Sequence, residues 1–191
     1  MEAVKEQKNN WKGFYQSRVN STYQDYFNKR YKDMVDLIHY LIKRERIDTI
    51  IEEGVGIGSL HNAVKQVNNY NKYYGFDNSN EMLELCKQNC DAELVLFEDC
   101  IIKPFYNAEQ HSDMVLTHGV LEHFEDDVIV EIIKRHKNLG LIGVHYVPLD
   151  GYETPSFGDE RLLSKEYWQD LLGFEEHITM NEGKDLVFII K

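Results

Sequence analysis

The chain has 191 residues, 42% of them hydrophobic and 28% charged, which suits one soluble domain, or one with a small appendage, large enough to bury a core. Its 33 acids against 21 Lys and Arg give a net charge of −12; phosphate recognition rests on basic contacts, so DNA and RNA are disfavoured as partners. No apolar run nears the roughly 20 residues of a membrane span, residues 1–10 are polar rather than signal-like, and three cysteines without C-x-x-C spacing give no disulfide framework or zinc site, so a cytoplasmic, metal-free protein is expected.

Residues 10–43 are dense in aromatics: Trp11, Phe14, Tyr15, Tyr23, Tyr26, Phe27, Tyr31 and Tyr40. From Ser21 onward Phe27, Tyr31, Met34, Val35, Ile38, Leu41 and Ile42 recur at helical spacing, which predicts one long amphipathic helix packed on a sheet. Residues 11–26 are less periodic and form a candidate lid over a pocket, with ordinary packing as the alternative. Ile47, Ile50 and Ile51 then suit a buried strand that closes on Glu52-Glu53 and on three alternating glycines, Gly54, Gly56 and Gly58, before a helix over 61–69. Glycines at such a turn allow positive φ and let a ligand lie against bare backbone, while the following helix offers free N–H groups. A dinucleotide site wants G-x-G-x-x-G to seat a pyrophosphate. Here Ser59 stands where the third glycine would fall, and Glu52 repels phosphate and attracts an ammonium.

Lys72 to Asp77 is a second strand ending in an acid, and Asp77 is placed to accept from ribose hydroxyls. Asn78-Ser79-Asn80-Glu81 opens a capped helix, with Met82 leaning back over the strand end as a platform for an adenine ring. On that helix Cys86 and Cys90, four residues apart, bring two thiols to one face. A third strand, 93–97, runs into Glu98-Asp99-Cys100, where a carboxylate just past the strand end suits an adenine amino group. Asp113 begins a fourth strand with the apolar body Met114 to Leu116, leaving the sheet at Thr117 to Gly119 ahead of a helical turn over 120–124. Acids at 125–127 and bases at 134–137 mark the ends of a further helix. Strand five spans 139–147, residues 150–161 form a loop where a substrate would be gripped, Ser164 caps a last helix that Gly173 stops, and 174–180 with 186–190 make a closing hairpin.

Glu52-Glu53-Gly54-Val55-Gly56-Ile57-Gly58, then Gly75-Phe76-Asp77-Asn78-Ser79-Asn80-Glu81-Met82-Leu83, then Asp113-Met114-Val115 running to Val120-Leu121-Glu122-His123 resemble three successive motifs of the class I S-adenosylmethionine-dependent methyltransferases of small-molecule type. The resemblance covers about 49–191. It departs only before strand five, where Lys137-Asn138-Leu139-Gly140 replaces the usual proline and paired glycines. It implies an α/β fold: a Rossmann-like, seven-stranded, mostly parallel sheet with an antiparallel C-terminal hairpin strand and helices on both faces. It divides the chain into an N-terminal helical arm or lid, 1–45, and a methyltransferase domain, 46–191. It implies S-adenosylmethionine as cofactor, held by Glu52, Gly54, Gly56, Gly58, Asp77, Asn78, Met82, Asp99, the backbone of Cys100, Thr117, His118 and Gly119. Tyr15, Arg18 or Tyr23 of the arm would then reach the methionine carboxylate or the substrate.

Transfer of an activated methyl needs alignment more than elaborate catalytic groups; a hydroxyl acceptor adds a general base, for which His118, His123 and His145 are the candidates. His118 could equally serve through its backbone carbonyl, and His123 as a packing residue. The chain lacks an Asn or Asp before Pro-Pro-aromatic and a Pro-Cys nucleophile, which with the acidic balance favours a small-molecule acceptor bound without nucleic acid or membrane. Two alternatives stay open: a noncatalytic S-adenosylmethionine-binding partner protein, and a nicotinamide-dependent oxidoreductase, which would leave Asp99 without a role.

Overall fold

The computed structural model of the chain describes residues 10–66, 70–96, 112–138 and 141–191. The arm begins with α1 (Trp11–Tyr15), a 3₁₀ turn (Gln16–Arg18) and α2 (Ser21–Arg30), capped at their starts by Asn10 and Asn20, whose side chains accept from Gly13 N and Tyr23 N. The long helix expected from Ser21 is broken at Tyr31 (φ −104°, ψ 19°) into α2 and α3 (Lys32–Glu45). Tertiary contacts override the helical period here. The Tyr31 ring packs against Phe27, His118 and Tyr146, and Arg30 bonds Asp185, so the two residues at the break face the sheet rather than continue a stripe.

β1 (Thr49–Glu53), α4 (Ser59–Lys65), β2 (Lys72–Asp77), α5 (Asn80–Asn89), β3 (Glu93–Leu96) and β4 (Met114–His118) follow. A 3₁₀ turn (Leu121–His123), α6 (Asp126–Asn138), β5 (Ile142–Pro148), α7 (Lys165–Leu172), β6 (His177–Met180), a 3₁₀ turn (Asn181–Gly183) and β7 (Asp185–Ile190) complete the chain. The described strands form one sheet in the order β3-β2-β1-β4-β5-β7-β6. The pairs β3-β2, β2-β1, β1-β4 and β4-β5 are parallel, while β7 runs antiparallel to both β5 and β6. The expected sheet and its closing hairpin are therefore present, with β6 starting at His177 rather than 174 and β5 at Ile142 rather than 139. The expected helix over 61–69 starts two residues earlier, at Ser59; residues 67–69, Phe97, Leu139 and Gly140 lie outside the described residues.

Period-two alternation sends the two sides of each strand to separate helical layers. Ile50, Met114, Leu116, Val144, Val187 and Ile189 pack with Met34, Ile38 and Leu41 of α3 and with Leu60 and Val64 of α4. On the opposite face Val147, Leu186, Phe188 and Ile190 pack with Ile129, Ile132 and Ile133 of α6 and with the fully buried Trp168 of α7. Ser164 and Gly173 bracket α7 as expected: the Ser164 hydroxyl accepts from Tyr167 N at 3.1 Å, and Gly173 takes a left-handed φ of 64°. Among the described residues no helix is long and apolar enough to cross a membrane.

Candidate cofactor and acceptor site

The strand order reverses direction between β1 and β4, and in open α/β sheets ligands bind at that switch, beyond the carboxyl ends of the strands. A cleft of about 870 Å³, its open mouth included, lies there, lined by Glu53, Gly54 and Gly56 after β1, Phe76, Asp77, Asn78 and Met82 around the end of β2, His118, Gly119, Val120, His123 and Phe124 after β4, and Trp11 and Tyr15 of the arm. A smaller cavity of about 340 Å³, its open side included, adjoins it, sharing Tyr15, Gly54, Gly56 and His118 and adding Glu52, Tyr23 and Phe27.

The glycine turn takes the backbone shape that its composition foretells. Gly54, Gly56 and Gly58 have φ of 73°, 55° and 75°, values that cost a residue with a Cβ. A Cβ at Gly54 would lie 2.5 Å from Val120 Cγ2, whereas one at Gly56 would meet nothing nearer than Met82 Cε at 3.9 Å. Gly56 therefore keeps space open for a ligand. Gly58 lines neither cavity; it caps α4 and abuts Cys90.

Asp77 is locked in place from both oxygens, Oδ2 accepting from Gly56 N at 3.1 Å and Oδ1 from Ser79 N at 3.0 Å. Burial raises its pKa to about 6 despite these bonds. Each oxygen keeps lone-pair capacity toward the cleft, as ribose hydroxyls require. Glu52 and Glu53, adjacent in sequence, point to opposite faces. Glu52 is buried, accepts from Tyr73 OH at 2.7 Å, and has its pKa driven well up by desolvation, so the free protein favours its neutral form and a cation bound beside it would draw it into the ionised one. Glu53 accepts from Arg135 at 2.7 Å and shares a 3.1 Å contact with the buried ring of His136.

After β4 the expected residues separate. Gly119 (φ 69°) lines the cleft and His118 lines both cavities. The His118 ring stacks on Tyr146 (4.4 Å, 12°) and meets Tyr31 edge-on; burial lowers its pKa to about 3, and its Nε2 has no hydrogen-bond partner among the described residues. So weak a base does not suit proton abstraction near neutrality. The side chains of Thr117 and His145 are placed away from the cleft. Both are fully buried, share a 2.9 Å hydrogen bond between Oγ1 and Nδ1, and line neither cavity. The reason is register: Thr117 pairs with His145 across β4 and β5, so both point to the α6 face, where His145 stacks on His136 at 5.5 Å. Arg18 also falls outside the cavities, its guanidinium bonded to Phe14 O and lying 3.8 Å over the Phe14 ring. Asp99 and Cys100 lie outside the described residues.

His123 is brought to the cleft, and with it a partner that sequence reading missed. Its Nδ1 lies 3.1 Å from Asp159 Oδ1, and its ring meets Trp11 edge-on at 5.2 Å. Asp159 belongs to the 150–161 loop, which also sends Phe157 against Trp11 (4.6 Å) and Phe14 (4.4 Å), so loop and arm close the same mouth. In the sequence Glu122 stands out only as part of a motif. It is fully buried, neither carboxyl oxygen has a hydrogen-bond partner among the described residues, and Oε1 lies 3.4 Å from where a Gly119 Cβ would stand. Nothing in the sequence separates a Glu122 facing inward from a solvated one, because a one-turn 3₁₀ segment has no period to read.

Residues 50–139 match the protein family described as "Methyltransferase domain". No curated protein matches the chain by sequence. Among solved structures, a S-adenosylmethionine-dependent methyltransferase from Clostridium acetobutylicum ATCC 824 has a TM-score of 0.63 at 13% identity, covering 84% of this chain and 91% of its own. The small RNA methyltransferase HEN1 has a TM-score of 0.68 at 16% identity over 83% of this chain and 24% of its own. An O-methyltransferase family protein from Burkholderia thailandensis has a TM-score of 0.60 at 17% identity over 92% of this chain and 61% of its own. At these identities the likeness is one of fold. The fold and the family match agree with the class I methyltransferase motifs read from the sequence.

Proposed function

We propose that this methyltransferase-fold chain moves the methyl group of S-adenosylmethionine to a small-molecule nucleophile. The observation that carries the reading is the convergence of the glycine turn, Asp77, Met82, His118 and Gly119 on one cleft at the switch point of the sheet. The residues present fit the cofactor: a turn uncrowded at Gly56, a half-buried carboxylate, Asp77, fixed by two backbone donors, and in the adjoining cavity the buried carboxyl of Glu52, suited to an ammonium.

Bound there, the cofactor would supply an activated methyl on a sulfonium. Asp77 would hold the ribose hydroxyls, with Asn78 and Met82 beside the adenine, and Glu52 with the backbone of Gly54 and His118 the amino-acid end. Asp99 and Cys100 keep their adenine roles as expectations. Within the N-terminal arm of 1–45, residues 11–26 act as a lid on the domain of 46–191, supported by Trp11 and Tyr15 lining the cleft. His123 replaces His145 and His118 as the base. With Asp159 on Nδ1, its Nε2 is left to take a proton from a hydroxyl acceptor, and Asp159 fixes that tautomer. HEN1 is by its name an RNA methyltransferase. An RNA acceptor sits poorly with a net charge of −12, and the mouth here is walled by aromatics, Trp11, Phe124 and Phe157 among them. A cytoplasmic address belongs to this reading.

Incubation of the purified chain with methyl-labelled S-adenosylmethionine and a fractionated metabolite extract tests it. Label in a small-molecule fraction is expected. Label in RNA alone would overturn the acceptor class, and S-adenosylhomocysteine binding with no transfer to any fraction would favour the noncatalytic alternative.

A further inference from the structure

Behind the glycine turn lies a feature that the proposed reaction does not use. Cys86 and Cys90, on the last turn of α5, place their sulfurs 3.2 Å apart, and Gly58 packs directly on them: a Cβ there would lie 2.5 Å from Cys90 Sγ and 3.0 Å from Cys86 Sγ. The same helix end is tied to the turn by two side-chain amides. Asn89 Nδ2 donates to Ile57 O at 2.8 Å, and Asn62 Nδ2 of α4 donates to Asn89 O at 2.9 Å. Displacement of residues 89–90 therefore reaches the backbone of Ile57 and Gly58.

We propose that Cys86 and Cys90 are a redox-modification site, joined reversibly as a disulfide by a peroxide-class oxidant, and that the disulfide lowers the affinity of the adjoining turn for the cofactor. Residues four apart on a helix stand about 6 Å apart along the axis, within the Cα range that a disulfide spans. Cys90 is the C-cap, with extended φ −144° and ψ 166°, so its side chain is not bound to helical geometry. Closing the present sulfur separation to a covalent bond requires a movement of about 1 Å. Gly58 packs on both sulfurs and the Asn89–Ile57 bond ties the same helix end to the turn, so the turn adjoins every atom that moves.

The chemistry is complete with the oxidant named. Cys90, the more exposed of the two, attacks one peroxide oxygen as thiolate; the O–O bond breaks, and a sulfenic acid and one water result. The Cys86 thiol then displaces the second water as the S–S bond forms, so two thiols are oxidised and one peroxide is reduced. Cys90 suits the first step. Its thiol is held below the usual range by the hydrogen bond from Cys86, then by His61 and the Ala92 N–H, while the same bond and burial hold Cys86 above it.

The effect on the cofactor rests on the function proposed above; the disulfide does not. The test treats the reduced full-length chain with hydrogen peroxide, maps linked peptides by mass, and titrates S-adenosylhomocysteine by calorimetry. A Cys86–Cys90 peptide short of two hydrogens is expected, with affinity lowered about five-fold or more and restored by dithiothreitol, and no peroxide response in Cys90→Ser. Linkage to Cys100, over-oxidation without linkage, or a linked form that binds as tightly as the reduced one would overturn the proposal. If the reduced chain ignores S-adenosylhomocysteine, the cofactor reading fails by itself. Amide exchange across 54–60 then decides the redox site, faster in the linked form if the proposal holds and unchanged if it is wrong.

Discussion

The Arg30 guanidinium lies 2.9 Å from Asp185, joining the end of α2 to the start of β7 across 155 positions of sequence. Asp185 is fully buried and also accepts from Tyr146 OH at 3.0 Å, Tyr152 OH at 2.7 Å and the Asn181 amide, so one carboxylate ties together the arm, β5 and the 150–161 loop. Removing one member of such a cluster strands the others. Asp185→Ala is expected to cost about 3–5 kcal/mol in a denaturant titration and to raise the acceptor KM more than it changes S-adenosylhomocysteine affinity. A loss below about 1 kcal/mol would assign the ion pair to the surface class.

Asp77 links cofactor binding to pH. Its pKa of about 6 in the free protein lies above the ordinary carboxylate value, so between pH 4 and 6 the folded chain carries a proton that the unfolded chain has lost. Ribose hydroxyls donate to the ionised form. Ligand binding therefore releases that proton, and affinity for S-adenosylhomocysteine rises as pH climbs toward and past about 6, then levels. Stability has the opposite sign, since the contribution of this group falls as pH rises through its folded pKa. Asp77→Ala should weaken binding by about 1.5–3 kcal/mol at neutral pH and remove this share of the pH dependence. Calorimetry at several pH values reads both, and an unchanged profile would remove the ribose assignment.

His123 and Asp159 separate chemistry from binding. His123→Gln is expected to lower kcat for a hydroxyl acceptor by about 10²-fold or more with S-adenosylhomocysteine affinity retained. Asp159→Asn should act in the same direction, more weakly, and shift the pH–rate profile. Equal loss of affinity and turnover in His123→Gln would recast this residue as part of the cleft wall against Trp11.

The three glycines predict three different failures. Gly56→Ala meets only ordinary contacts, Met82 Cε at 3.9 Å the nearest, and strains φ, costing about 1 kcal/mol in stability, but its methyl lies at the cleft wall and should sharply reduce cofactor binding. Gly58→Ala collides with Cys90 and should lose more stability than Gly56→Ala. Gly54→Ala, against Val120, should lose both. Thermal unfolding paired with S-adenosylhomocysteine titration distinguishes the patterns; identical behaviour at Gly56 and Gly58 would contradict the different surroundings of the two.

The strands, the turn glycines, the capped helices and the closing hairpin were legible because each has a local physical signature: period-two apolar runs, residues tolerant of positive φ, and Ser164 and Gly173 at opposite ends of α7. Facing was harder to read. Asp77 and His118 were located by lying at strand ends, but His145 lies within β5, and which side of the sheet it takes depends on pairing with Thr117 that no local pattern states. The break at Tyr31 was hidden because the apolar spacing runs straight through it, and Asp185, which pairs with the neighbouring Arg30, lies at the other end of the chain. Asp159 and Glu122 were invisible for the same reason, since a loop carboxylate beside His123 and a buried carboxyl under Gly119 are made by tertiary proximity alone.

Titration of the reduced chain with S-adenosylhomocysteine, with NAD as the comparison, tests the central claim most directly. The account predicts saturable binding of S-adenosylhomocysteine that Asp77→Ala weakens, and no binding of NAD. Binding of NAD in preference, or indifference to both, would contradict it.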